Sequence, residues 1–204
     1  SVVAEALKKK RREHARHAVI DALPNNGTQP HGLLVADIAG TDALRDAVAA
    51  LAATTPVHIL INNTGGPPGG PAHPAAVDAS LDAFKKHRVA NQTLLQAGRP
   101  GMRAARWGRI VNVISTSVYE PIPNLGVSNT IRGAVASWAK TLSRELGVDG
   151  ITVNNVLPGY TRTQRLDQIL GDRSNATGKT QEEVAGGMLA SVPVGRFAEA
   201  GEIG

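Results

Sequence analysis

The sequence predicts an α/β fold of the doubly wound kind, a parallel sheet with helices on both faces, in a single domain over residues 1–204. Two observations carry this. Short apolar runs alternate with stretches of helical periodicity along the chain. The distinctive loops, ADI, NNTGG, ISTS and LPGYTRT, each follow an apolar run, which places them together at the carboxyl ends of the strands, where such folds bind ligands. The length of 204 residues suffices for a substantial core, and 22 Gly and 12 Pro suit a loop-rich chain.

In order, Ser1 to Leu7 reads as the end of a helix that runs into a basic stretch, and Pro24 to Pro30 (PNNGTQP) as a turn. His31 to Ile38 is a buried parallel strand. Thr41 is the expected N-cap of the next helix, with Asp42 in its first turn and Leu44, Ala47, Val48 and Leu51 on one face. Val57 to Asn62 is the following strand, and Gly65 to Pro74 (GGPPGGPAHP) a mobile loop. A helix is expected from about Asp78 past Met102, then a strand from Arg109 to Ile114, a helix from Asn124 to Leu146 and a strand from Ile151 to Val156.

Composition excludes several classes. With no cysteine there are no disulfides, thiolate nucleophiles or cysteine-ligated metals, and no metal site is expected. No run is long enough to cross a bilayer, and the expected location is cytoplasmic. The net charge of +5 is concentrated early: Lys8, Lys9, Lys10, Arg11, Arg12 and Arg16 crowd one stretch. That stretch is either a polyanion-binding patch or a solvated helix face near a cofactor phosphate. Aromatic residues at 3% are too few for a single-strand stacking platform, so nucleic acid is not the expected partner.

The run from Gly108 to Thr163, GRIVNVISTSVYEPIPNLGVSNTIRGAVASWAKTLSRELGVDGITVNNVLPGYTRT, resembles the short-chain dehydrogenase/reductase family in element order and spacing. The resemblance, closest to the 3-oxoacyl-carrier-protein reductase branch, implies a Rossmann-type sheet and an NAD(P)-dependent oxidoreductase acting on a carbonyl or alcohol. It places Ser115 as the substrate-binding serine, puts Ser128 at the family's tyrosine position and Arg132 at its lysine position. The family's active-site asparagine falls near Arg88, with Asn91 three residues on. Tyr119, four residues after Ser115, is a candidate replacement acid, and Tyr160 a second. Ser115 could instead form an ST-turn at the strand end.

The same resemblance assigns Asn62-Asn63-Thr64-Gly65 to the family's cofactor turn, with Asn63, Thr64 and Gly65 as contacts. Asp37 and Ile38 match its adenine-contacting pair; a helix-capping Asp is the alternative. Pro158, Gly159, Thr161 and Thr163 match its nicotinamide loop, and Arg132 would also face the ribose. Residues 160–195 correspond to a variable substrate lid. The sequence has no G-x-x-x-G-x-G turn, and VPVGRFAEAGEIG resembles the lead-in to the family's last helix and strand. The resemblance therefore implies a first strand with its Gly-rich turn, lying between the HGLLVADI and VHILIN strands, and a last helix and strand, all beyond this sequence. The cofactor is NAD or NADP, with the basic stretch favouring NADP, and a homodimer or homotetramer is expected. The competing readings are a non-catalytic nucleotide- or partner-binding relative and a polyanion binder using the basic stretch.

Overall fold

The computed structural model describes residues 2–4, 23 and 31–203. The basic stretch, and with it the polyanion alternative and the ground for favouring NADP, lies outside these residues. Strand β1 (Val2–Ala4) pairs in parallel with β2 (Gly32–Leu34). This corrects the helix expected over Ser1–Leu7: the adjacent β-branched pair Val2-Val3 suits an extended, pleated backbone. A second, three-stranded parallel sheet runs β3 (Ile59–Asn62), β4 (Gly108–Val113), β5 (Ile151–Val156).

Register assigns the faces of that second sheet. Leu60, Ile110 and Val153 are paired across it, as are Asn62, Asn112 and Asn155, and these rows point to the core. Ile110, Ile151 and Val153 pack there with Leu95, Met102, Val135, Trp138 and Leu142. The opposite row holds Ile59 and Ile61, which stay 56% and 62% exposed. Among the described residues the helices therefore cover one face of this sheet. A smaller cluster joins Leu44 and Val48 of α1 (Thr41–Thr54) to Ala90, with Leu34 and Ile38 beside them. The N-cap of α1 is Gly40, one residue before the expected Thr41, and it makes no side-chain cap bond.

The long helix expected from Asp78 past Met102 is interrupted. It begins as α2 (Val77–Phe84), widens to a π-turn over Lys85–Val89, and continues as α3 (Ala90–Ala104). A π-turn inserts one extra residue per turn and so redirects the side chains that follow. Helix α4 (Gly126–Leu146) starts two residues later than expected, because Asn124 adopts a left-handed φ of 59° that ends the preceding loop. Its buried stripe of Ile131, Val135, Trp138, Ala139, Leu142 and Leu146 faces the sheet. Residues 160–195 contain α5 (Gln164–Thr177) and α6 (Gln181–Leu189), the latter opened by a Thr180–Glu183 capping box.

Candidate active site

The carboxyl ends of β3, β4 and β5 meet the head of α4, and a buried asparagine row makes that rim polar. Asn62 Nδ2 donates to Asn112 Oδ1 at 2.8 Å, and Asn112 Nδ2 donates to Asn155 Oδ1 at 3.1 Å. Asn62 and Asn112 are buried, and Asn62 Oδ1 has no partner among the described residues. Amides at matched register can chain in this way because each offers both donors and acceptors.

Arg132 ties this rim together. From α4 its guanidinium donates to the Val113 carbonyl at 2.9 Å and to the Thr64 carbonyl at 3.2 Å, joining the β3 and β4 loops. Burial, and then the nearby charge of Arg165, push its pKa down to about 10, so it stays cationic at neutral pH. Thr64 is held from the other side, its hydroxyl lying 2.5 Å from His87 Nδ1. His87 sits in the π-turn and is 1% exposed.

Ser115 follows β4 as the N-cap of a 3₁₀ turn, Thr116–Val118, and its Oγ accepts from the Ser117 amide at 3.1 Å. Its hydroxyl proton is left to donate elsewhere. Ser128 is half-buried in the first turn of α4, one turn ahead of Arg132 on the same face. After β5, the Pro158 carbonyl accepts from Thr116 N, Thr161 Oγ1 donates to the Gly159 carbonyl, and Thr163 Oγ1 donates to the Thr161 carbonyl. Gly65 and Gly159 have open space where a Cβ would stand, so a ligand can approach either backbone.

The other sequence candidates come from the π-turn, α3, the 3₁₀ turn and the loops after β2 and β3. Asn91 is buried in the first turn of α3, with its Oδ1 unpartnered among the described residues. Arg88 stacks over Trp138 at 4.6 Å and donates to Gln92, which engages it along the α3–α4 packing. Tyr119 is 86% exposed and lines, with Thr116, Pro121, Gly159, Tyr160 and Arg196, a cleft of about 580 Å³. Asp37 accepts from Ala39 N at 2.9 Å in a turn before α1, while Ile38 packs in the smaller core cluster. Asn63 lies beside Asn62 at the end of β3.

The loop after β3 is anchored rather than free, contrary to the mobile loop expected there. Gly70 N donates to the Asn124 carbonyl at 2.7 Å, and Gly126 N returns a bond to the Gly70 carbonyl at 3.0 Å. A Cβ on Gly126 would stand 2.4 Å from the Ala72 backbone nitrogen, so only glycine permits this approach.

Two residues at the site escaped sequence reasoning: His87, the residue just before Arg88, and Arg165, whose guanidinium lies against Gly66 and donates to the Pro67 carbonyl.

The short chain dehydrogenase family profile matches residues 4–173. The chain belongs to the short-chain dehydrogenase family. A Streptomyces coelicolor protein provisionally named ketoacyl reductase is 33% identical over 153 residues, which are 72% of this chain and 58% of that one. Cyclohexanol dehydrogenase of Rhodococcus sp. is 32% identical over 186 residues, 88% of this chain and 65% of the relative. The chain thus spans less than two thirds of either protein. Among solved structures, an actinorhodin polyketide ketoreductase variant with NADPH superposes with a TM-score of 0.83 at 26% identity, covering 99% of this chain and 76% of that one. An NAD⁺-bound xylitol dehydrogenase gives the same TM-score at 22% identity, covering 99% and 79%, and shows the fold alone.

His87 makes a measurable prediction. Burial foremost, then Arg132 and Lys86, lower its pKa to about 4 from the ordinary 6.5. The unfolded chain therefore takes up this proton first, so stability is present above pH 6.5 and drains away as pH falls toward 4. Between pH 7 and pH 5 the loss from this group should be about 2 kcal/mol. Urea unfolding at the two pH values measures it, and His87→Asn should remove that part of the pH dependence; equal slopes for both proteins would refute the assignment.

Proposed function

We propose that the protein is an NAD(P)-dependent oxidoreductase that interconverts a carbonyl and an alcohol, with a ketoacyl compound as the favoured substrate class. The observation that carries this reading is the convergence at one rim of the Ser115 hydroxyl, the Thr64–Gly65 turn, the Pro158–Thr163 loop and the Arg132 cation. The ketoacyl class is supported by the similarity to the Streptomyces ketoacyl reductase and to the polyketide ketoreductase structure.

The residues present fit a dinucleotide. Asn63, Thr64 and Gly65 would hold its ribose region, with open space over Gly65. Gly159, Thr161 and Thr163 would hold the nicotinamide end, and Arg132 supplies a cation beside it. A bound nicotinamide provides the hydride chemistry. Ser115 would donate a hydrogen bond to the substrate oxygen as negative charge gathers there. Arg132 lowers the cost of that charge by its field. Ser128 is a far weaker acid than tyrosine and one cation cannot bring it near neutrality, so proton delivery is slow and turnover modest. The same feature favours the second reading, a relative that binds a nucleotide without turnover.

Assembly into a homo-oligomer is part of this proposal. Val77, Leu81 and Phe84 lie along one face of α2 and are 75%, 54% and 43% exposed, an apolar stripe suited to a second copy.

Titration with NADH and NADPH, followed by a carbonyl panel scored by cofactor oxidation, tests the function. Oxidation with any member supports the enzyme, and tight dinucleotide binding with no oxidation across the panel supports the second reading. In an active protein Tyr119→Phe should leave proton transfer impaired if that exposed phenol is the acid, and unchanged turnover would remove it from the mechanism.

A further inference from the structure

Two guanidinium groups face one short loop, and among the described residues neither is paired with a carboxylate. Arg132 reaches it from α4 and donates to the Thr64 carbonyl. Arg165, the second residue of α5, lies against Gly66, where a Cβ would stand 3.4 Å from its Nη2, and donates to the Pro67 carbonyl. Its remaining bond is to the neutral Gln168 amide. The two are close enough that the charge of Arg165 disfavours that of Arg132. Neither takes part in an ion pair among the described residues; Asp172 is the one acid that acts on Arg165, through its field alone. His87, the other ionisable group beside Arg132, is neutral at pH 7. At the start of α5, Thr163 donates its hydroxyl to the Thr161 carbonyl and makes no side-chain cap bond to the helix.

Desolvated cations without a counter-ion are costly, and carbonyl dipoles offset only part of that cost. We propose that Arg132 and Arg165 form a two-arginine clamp, across the Thr64–Pro67 loop, for an anionic oxygen group of the phosphate type. Glycines at 65 and 66 leave the loop backbone without side chains between the two cations. Planar forks of donors suit phosphate oxygens, which accept two parallel bonds from each. The group is either the diphosphate of a dinucleotide or a phosphate carried by the substrate.

Isothermal titration with inorganic pyrophosphate tests the clamp directly, on wild type, Arg165→Gln and Arg165→Lys, each checked for folding by circular dichroism. Wild type should bind, Arg165→Gln should bind about tenfold or more weakly, and Arg165→Lys, which keeps the charge and loses the fork, should fall between the two. Repeating the titration with NADPH present separates the sources: competition assigns the site to the dinucleotide, and simultaneous binding assigns it to a substrate phosphate. Folded wild type that binds no pyrophosphate, or Arg165→Gln that binds it as tightly as wild type, overturns the clamp. Failure of both dinucleotides to bind while pyrophosphate binds in an Arg165-dependent way would instead overturn the oxidoreductase reading and leave the clamp standing.

Discussion

Asn112→Ala should lower the unfolding free energy by about 3 kcal/mol, the largest loss expected from any single change at the rim. Asn112 is 0% exposed and stands in the middle of the row, accepting from Asn62 and donating to Asn155. Its removal leaves the buried Asn62 Nδ2 with no acceptor in a place water does not reach, and a stranded buried donor costs more than the bond it made. A small cavity adds to that cost. Asn155→Ala should cost clearly less. Asn155 is half-buried, and the Asn112 amide still has the Asn154 carbonyl at 3.5 Å. Denaturant midpoints of the two variants decide the matter, since equal losses would mean the row is a set of independent residues. Because the row joins the three strand ends that carry the site, the Asn112 variant should also weaken dinucleotide binding.

The strands that build this rim were legible because each is a short apolar run closed by polar residues. GRIVNV and ITVNNV gave β4 and β5 within a residue, and their periodicity survives into the observed burial of Ile110, Ile151 and Val153. Helix α4 was legible from its apolar stripe, but its start was not, since left-handed backbone at Asn124 leaves no mark on periodicity. Strand β1 was misread because three extended residues, paired to an equally short partner, carry too little pattern to oppose a helical reading of SVVAEAL. The π-turn is silent for a related reason: α2 and α3 each keep their own helical period, and the inserted residue only rotates one against the other. His87 lies within that π-turn against the Thr64 hydroxyl, and no sequence pattern marks it. Arg165 was hidden differently. Its distant partner is the Pro67 carbonyl, 98 residues away, and no sequence pattern records a bond to a carbonyl.

Ser115→Ala should lower kcat/KM for carbonyl reduction by about a hundredfold or more, roughly 3 kcal/mol of transition-state stabilisation, while dinucleotide affinity stays within about threefold. The hydroxyl is placed by β4 and by the bond its oxygen accepts from Ser117 N at 3.1 Å, which leaves its proton free to donate. In the proposed function Ser128 is too weak an acid to share that charge, so the Ser115 proton is the principal neutral donor at the strand end for charge developing on the substrate oxygen. The same substitution also deletes the turn bond, which is worth about 1 kcal/mol of stability and must be separated from catalysis. Two further variants do so. Ser115→Thr keeps a hydroxyl on the same backbone and should recover most of the activity. Ser117→Ala removes a buried hydroxyl that has no partner among the described residues, and should leave both stability and turnover nearly unchanged. A Ser115→Ala enzyme as fast as wild type would place the developing charge on another donor, and Arg132 would then be the residue to test, since its cation already lies between the β3 and β4 loops.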